Sequence, residues 1–212
     1  MKTYQIFTDG GGFDKGGYNF RAVSSYRFFN ESQELIHSDV IITETGTNQY
    51  AEICAIANAF ENAYKYFEAL EEEEKEEFHI KLYTDSMLCY DSLTKWIYGW
   101  IKKAKNGVFM TRNGPVLNQD QIKKAFYYLT ELRKSGSVKL YHINSHTAKR
   151  DVKKLKTKFE NFNKCKVTDD EFLFIYLQNK KCDQMIQVAH EKFIEKQKAP
   201  NKSVEEKLKE EI

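Results

Sequence analysis

Four acids, Asp9, Glu52, Asp85 and Asp183, stand in four separate segments of this 212-residue chain, each where a side chain could reach a shared point. Asp9 closes the strand-like run "TYQIFT" and is followed by Gly10, Gly11 and Gly12; Asp85 closes "HIKLYT" in the same way. If those strands are parallel neighbours, a spacing of roughly 5 Å leaves both carboxylates at one edge of the sheet. Two such anions repel unless a cation or a proton intervenes. Glu52 lies in the first turn of a long amphipathic helix, four before Ile56, so it borders the stripe that faces the core. Asp183 bears a similar relation to Ile186 on the last helix. Oxygen ligands without histidine or cysteine suit Mg²⁺ or Mn²⁺, and two such ions roughly 4 Å apart stabilise the attacking and leaving oxygens of phosphodiester cleavage. Singly, each acid has a plainer use: Asp9 starting a turn, Glu52 favouring a helix dipole, Asp85 capping a helix, Asp183 as surface charge.

The elements that would position them are legible in outline. After the first strand, "YNFRAVSSYRFFN" and "ELIHSDVIIT" read as strands joined by a polar hairpin at "NESQ", so the chain opens as an antiparallel meander. Asn48 is a plausible N-cap, and Ile53, Ile56, Phe60, Ala63, Phe67 and Leu70 follow in steps of three and four, the spacing of an amphipathic helix. Then come a strand at 79–86, a helix over "MLCYDSLTKWIYGWIKKA", another over 118–135 and a strand at 137–145. Residues 149–180 begin with a lysine-rich stretch and end in "DDEFLFIYLQNK", which reads as helical; the last clear helix starts at "KKCDQMIQVAHEKF". Past Pro200 the tail is polar and charge-alternating, so the expected organisation is one domain over 1–199 with a tail over 200–212.

Composition sets the class. At 41% hydrophobic and 14% aromatic residues the chain can bury a core, and its net charge of +2 means a polyanion must be met by a local basic patch. Cys54, Cys89, Cys165 and Cys182 form no paired motif and read as reduced thiols. With no apolar leader and no membrane-length apolar run, a cytoplasmic, soluble protein without a membrane partner is expected, working as a monomer.

The words around the four acids carry a resemblance. "FTDGGG", "TNQYAEICAI", "LYTDSMLCYDSLTKWIYGW", "HINSHT" and "NKKCDQMIQVA" occur in the order of the motifs of the ribonuclease HI (type 1 ribonuclease H) family, covering residues 1 to about 146 and resuming near 179. The resemblance implies an α/β fold, a mixed five-stranded sheet whose second strand is antiparallel, with helices on both faces. It also implies metal-dependent cleavage of the RNA strand of RNA–DNA hybrids, with Mg²⁺ as cofactor (two ions, Mn²⁺ as a substitute). It places metal ligands at Asp9, Glu52, Asp85 and Asp183, and a mobile histidine, assisting leaving-group protonation or product release, at His146, where the family's usual preceding glycine is Ser145. The stretch from Trp96 to about residue 120 resembles the family's basic handle, with Trp96, Lys102, Lys103 and Asn118 toward the substrate. Thr47 resembles a DNA-phosphate pocket, and Asn48 and Gln49 the minor-groove amides. Trp100 suits the core as well as it suits a duplex. Reading RNA requires contact with the 2′-hydroxyl, and the bare backbone at Gly10, Gly11 and Gly12 admits close approach.

One interval departs from the family. Between His146 and Asp183, where a short loop is usual, the chain inserts a segment over about 149–178 whose basic part holds Lys149, Arg150, Lys153, Lys154, Lys156 and Lys158. An unstructured loop of that length is improbable, so at least one extra helix beside the site is expected, and its basic residues are candidates for added phosphate contacts. Other members of the same fold superfamily, a junction resolvase or a reverse-transcriptase-associated domain, are weaker readings because of the handle-like element and the free-standing chain. A non-catalytic binder of hybrids or double-stranded RNA would not need four intact acids.

Overall fold

The computed structural model describes residues 2–13, 21–43, 46–75, 78–144 and 152–210. Three strands open the chain: β1 (Lys2–Phe13), β2 (Arg21–Phe29) and β3 (Leu35–Thr43). Helix α1 (Asn48–Glu68) and the short α2 (Glu72–Lys75) lead into β4 (Phe78–Thr84). A helical stretch follows in three parts, α3 (Met87–Asp91), a π-helical segment (Ser92–Trp96) and α4 (Ile97–Lys102). The miniature ladder of β5 (Met110–Thr111) and β6 (Gly114–Pro115) precedes α5 (Gln119–Ser135), β7 (Ser137–His142), α6 (Val152–Asn163) and α7 (Asp169–Glu210).

The main sheet has the order β3-β2-β1-β4-β7. β2 runs antiparallel to both β1 and β3, whereas β1–β4 and β4–β7 are parallel, so the expected mixed sheet with an antiparallel second strand is the one found. Parallel pairs require crossovers, and α1 and the α3–α5 segment supply them on one face. There Ile53, Ile56, Phe60, Ala63 and Phe67 of α1 meet Tyr4, Ile6, Tyr26, Phe28, Ile80 and Leu82 of the sheet. The opposite face carries a second core, in which Phe7, Phe29 and Tyr83 of the sheet pack against Leu155 and Phe159 of α6 and Phe172, Ile175 and Cys182 of α7.

Three boundaries differ from the sequence reading. β1 does not close at Asp9: it continues to Phe13 with Gly10, Gly11 and Gly12 still paired to β2, so the glycines extend the strand and do not turn it. The side chain of Thr47, not Asn48, caps α1 by accepting from the Tyr50 N–H, because Asn48 is already helical and its Oδ1 is taken by the Gly12 N–H at 3.0 Å. Glu52 therefore sits in the second turn, which removes the dipole account of its charge. The segment "DDEFLFIYLQNK" is not separate from the last helix: α7 starts at Asp169 and its backbone continues through Pro200 to Glu210, so the second half of the insertion is an N-terminal extension of the element that carries Asp183. No described helix is long and apolar enough to cross a membrane. The four cysteines are unpaired thiols, three buried and Cys165 partly so.

Candidate active site

Strand register brings the first two acids together. Thr8 is the register partner of Thr84, the last pair of the parallel β1–β4 ladder, so Asp9, within β1, and Asp85, just past β4, emerge side by side where that pairing ends. Gly10 brings the third. A Cβ at Gly10 would lie 2.2 Å from the backbone nitrogen of Glu52, and one at Gly12 would lie 2.6 Å from that of Asn48, so only glycine lets α1 approach β1 this closely. The bareness anticipated as access for RNA is at these two positions filled by α1.

Carboxylate oxygens of Asp9, Glu52 and Asp85 all lie within 4.8 Å of one another. Asp9 is 3% and Glu52 5% exposed. Asp9 Oδ1 accepts from the Gly10 N–H at 2.8 Å, whereas Glu52 Oε2 is buried with no hydrogen-bond partner among the described residues. Burial, and then the charge of Asp85, push Asp9 up to about 8 against the lowering influence of the Gly10 N–H. Glu52 is held well above the ordinary carboxylate range by burial first, then by Asp85 and Asp9. Hard oxygen donors that resist ionising together, one of them with an orphaned lone pair, fit a divalent cation.

Asp183 stands apart from this trio. It is exposed on α7, yet its charge is among those that raise Asp9, so it faces the cluster from the solvent side. One turn earlier on α7 the buried stripe Phe172, Ile175, Asn179, Cys182, Ile186 is interrupted by a single polar residue: Asn179 is fully buried and neither amide atom has a hydrogen-bond partner among the described residues. The helix is seated by the Ser25 hydroxyl donating to Cys182 O at 3.0 Å, by Arg27 donating to Gln178, and by the Arg21 guanidinium lying 3.4 Å from the centre of the Phe193 ring.

The region around Trp96 and Asn118 forms a second feature. A cavity of about 420 Å³ is lined in part by Gln49, Cys89, Ser92, Trp96, Trp100 and Asn118. Trp96 is 44% exposed and its ring centre lies 6.0 Å from that of Trp100, which packs on the core and on Phe109. Lys102 and Lys103 are exposed at the end of α4, and Asn118 adopts the left-handed conformation (φ 55°) just before α5 with no capping bond from its side chain. Thr47 and Asn48 spend their side chains on the helix cap and on Gly12. His146 and Ser145, with Lys149 and Arg150, lie outside the described residues. Of the insertion's remaining cations, Lys156 is paired with Asp169 at 2.7 Å, while Lys154 and Lys158 are exposed.

A histidine that sequence reasoning passed over sits beside the cluster. His142 ends β7, and its Nε2 donates to the Asp85 carbonyl at 3.0 Å, which fixes the proton on Nε2. Burial lowers its pKa below the usual imidazole value. Only the β4–β7 pairing gives it this neighbour, and no local signal could.

A carboxylate trio with two buried members at the edge of a mixed sheet, compatible with a divalent cation, defines a hydrolase of the ribonuclease H-like fold class. The comparisons with known proteins make that specific. The RNase H family model matches residues 1–156. A Ribonuclease H of Novosphingobium aromaticivorans is 36% identical over 123 residues, 57% of this chain and 71% of that protein. The chain belongs to the ribonuclease H family, and it is a nucleic-acid-binding nuclease. In fold it is similar to the prototype foamy virus protease–reverse transcriptase (TM-score 0.52, 15% identity, covering 77% of this chain and 20% of that one). It is likewise similar to the isolated RNase H domain of that enzyme (TM-score 0.50, 16% identity, 77% and 93%). Asp183 lies beyond the stretch that the family model matches.

Proposed function

We propose that this ribonuclease H hydrolyses the RNA strand of RNA–DNA hybrids with two Mg²⁺ ions, Mn²⁺ serving as a substitute, and leaves 3′-hydroxyl and 5′-phosphate ends. The observation that carries the reading is the trio of Asp9, Glu52 and Asp85, the first two buried, with one oxygen of each within 4.8 Å of the others, in a chain of this family. Asp9, Glu52 and Asp85 would hold the metal, with Asp183 added from α7. The bound ions would stabilise charge on the attacking and leaving oxygens.

The chain's own residues do the rest. Asp9 and Glu52, kept from ionising together, are preorganised so that cation binding discharges their proton. Water's oxygen bonds to phosphorus, its proton passing to solvent, as the bond to the 3′ oxygen breaks, and the departing oxygen takes a proton, for which His146 is the proposed donor. Exposed Lys102 and Lys103 offer phosphate contacts, and Trp96 with Gln49 and Asn118 on the cavity wall offers a ring and amides to the DNA strand. Backbone at Gly11 and around Glu52 is the proposed reader of the 2′-hydroxyl.

The test gives the purified chain an RNA–DNA hybrid, double-stranded RNA, double-stranded DNA and a four-way junction, each with and without Mg²⁺ or Mn²⁺. Metal-dependent cleavage of the hybrid alone, ending in 5′-phosphates, is expected. Cleavage of the junction, or of nothing, would refute the proposal.

A further inference from the structure

We infer that the inserted helix α6 is a brace for the metal-binding edge, in which Asn163 is a positioning residue for Asp85 and acts through His142. This rests on the reading of the carboxylate trio as a metal site. β7 is an edge strand, so the outward N–H and C=O of its last residue have no strand partner. The Asn163 amide takes that place: Oδ1 accepts from the His142 N–H at 2.9 Å, and Nδ2 donates to the His142 carbonyl at 2.9 Å and to Phe159 O at 2.9 Å. One side chain thus imitates one residue of a sixth strand.

With its backbone clamped from outside, His142 turns its ring inward to donate to the Asp85 carbonyl, and the Ile143 N–H donates to Thr84 O at 2.9 Å. The ring is boxed by Phe162 of α6, 5.1 Å between centres, and by Tyr90 of α3 at 6.4 Å. The peptide that aims the Asp85 carboxylate is therefore held from β7, and β7 from the insertion. α6 is itself anchored by Leu155 and Phe159 in the second core and by the Lys156–Asp169 pair to the start of α7. Groups that orient metal ligands from outside the coordination shell change metal affinity by about 10- to 100-fold.

The experiment titrates Mn²⁺, followed by electron paramagnetic resonance, into the full chain and its Asn163→Ala, His142→Phe, His142→Gln and Asn163→Ala/His142→Phe variants. Asn163→Ala and His142→Phe should each weaken Mn²⁺ binding about tenfold, the double variant little more than either. His142→Gln, whose amide can reach the same carbonyl, should bind close to the parent, and melting temperatures should change little. Additive losses, affinities within about twofold of the parent, or His142→Gln failing as His142→Phe does would overturn the brace. Hydrogen exchange at the His142 and Ile143 amides of metal-free protein reads the brace without a metal: faster exchange in Asn163→Ala supports it, and unchanged exchange overturns it. A parent that binds no Mn²⁺ refutes the metal reading instead, and exchange then decides the brace alone.

Discussion

The two faces of the sheet deliver acids to the same edge by different means. On the α1 face the approach is backbone against backbone: Gly10 and Gly12 admit the helix, Ala51 and Ala55 are fully buried beside Glu52, and the acid arrives buried. On the α7 face the spacing is set by large rings. Phe7 stacks on Tyr83 at 5.0 Å and Tyr83 on Tyr141 at 5.3 Å, with Phe159 and Phe172 of the insertion completing the cushion. Asp183 rides on this layer and stays exposed. An acid set by contact of main chains is rigid and loses solvation, while one carried on an aromatic layer keeps its solvation and depends on how well that layer is filled.

The comparison breaks most completely at Glu52. Glu52→Gln should lower hybrid cleavage in Mg²⁺ by more than the about 100-fold upper range for outer-shell groups, measured as initial rates, with folding retained because the isosteric amide shares the cavity. Asp85→Asn is expected to follow it; full cleavage by Asp85→Asn would mean that the mechanism is wrong. Next in size is Phe172→Ala, which removes a buried ring from the aromatic cushion and should cost about 3–5 kcal/mol of unfolding free energy in urea. A smaller loss would show that the cushion can collapse and re-seat α7.

The crowded carboxylates give a pH signature. In metal-free protein Asp9 and Glu52 keep protons in the fold at pH values where the unfolded chain has lost them, so stability should fall as pH rises from about 4 toward 8. Saturating Mg²⁺ should flatten this slope, as melting temperatures in chelator and in Mg²⁺ would reveal. The smallest expected change sharpens the account of α7: Asn179→Leu replaces an amide whose unpaired burial costs about 1–3 kcal/mol and should raise the melting temperature, and a fall would show that the amide is satisfied by internal water.

Much of this was open to reading from the chain. Alternating and helical periodicities give the meander, α1 and α5, and "HIKLYT" does end β4 just before Asp85, whereas β1 runs on past Asp9 to Phe13. The handle and Asp183 come from the resemblance alone. What stayed hidden was non-local. Asn48 looked like a cap until Gly12 was seen to take its side chain, and the insertion looked like separate pieces because a polar "QNKK" interrupts a helix that is continuous in space.

By itself the sequence determined the order of the main strands and helices and put the acids forward as candidates, because periodicity is a local property of a chain and the resemblance rests on contiguous motifs. Only the tertiary structure decided which acids lie together, that α1 occupies the side-chain space of Gly10 and Gly12, and that an inserted asparagine reaches the last residue of β7. Those depend on register between strands distant in sequence and on how closely two backbones can approach, which side-chain volume and hydrogen-bond pairing settle only once the sheet is assembled.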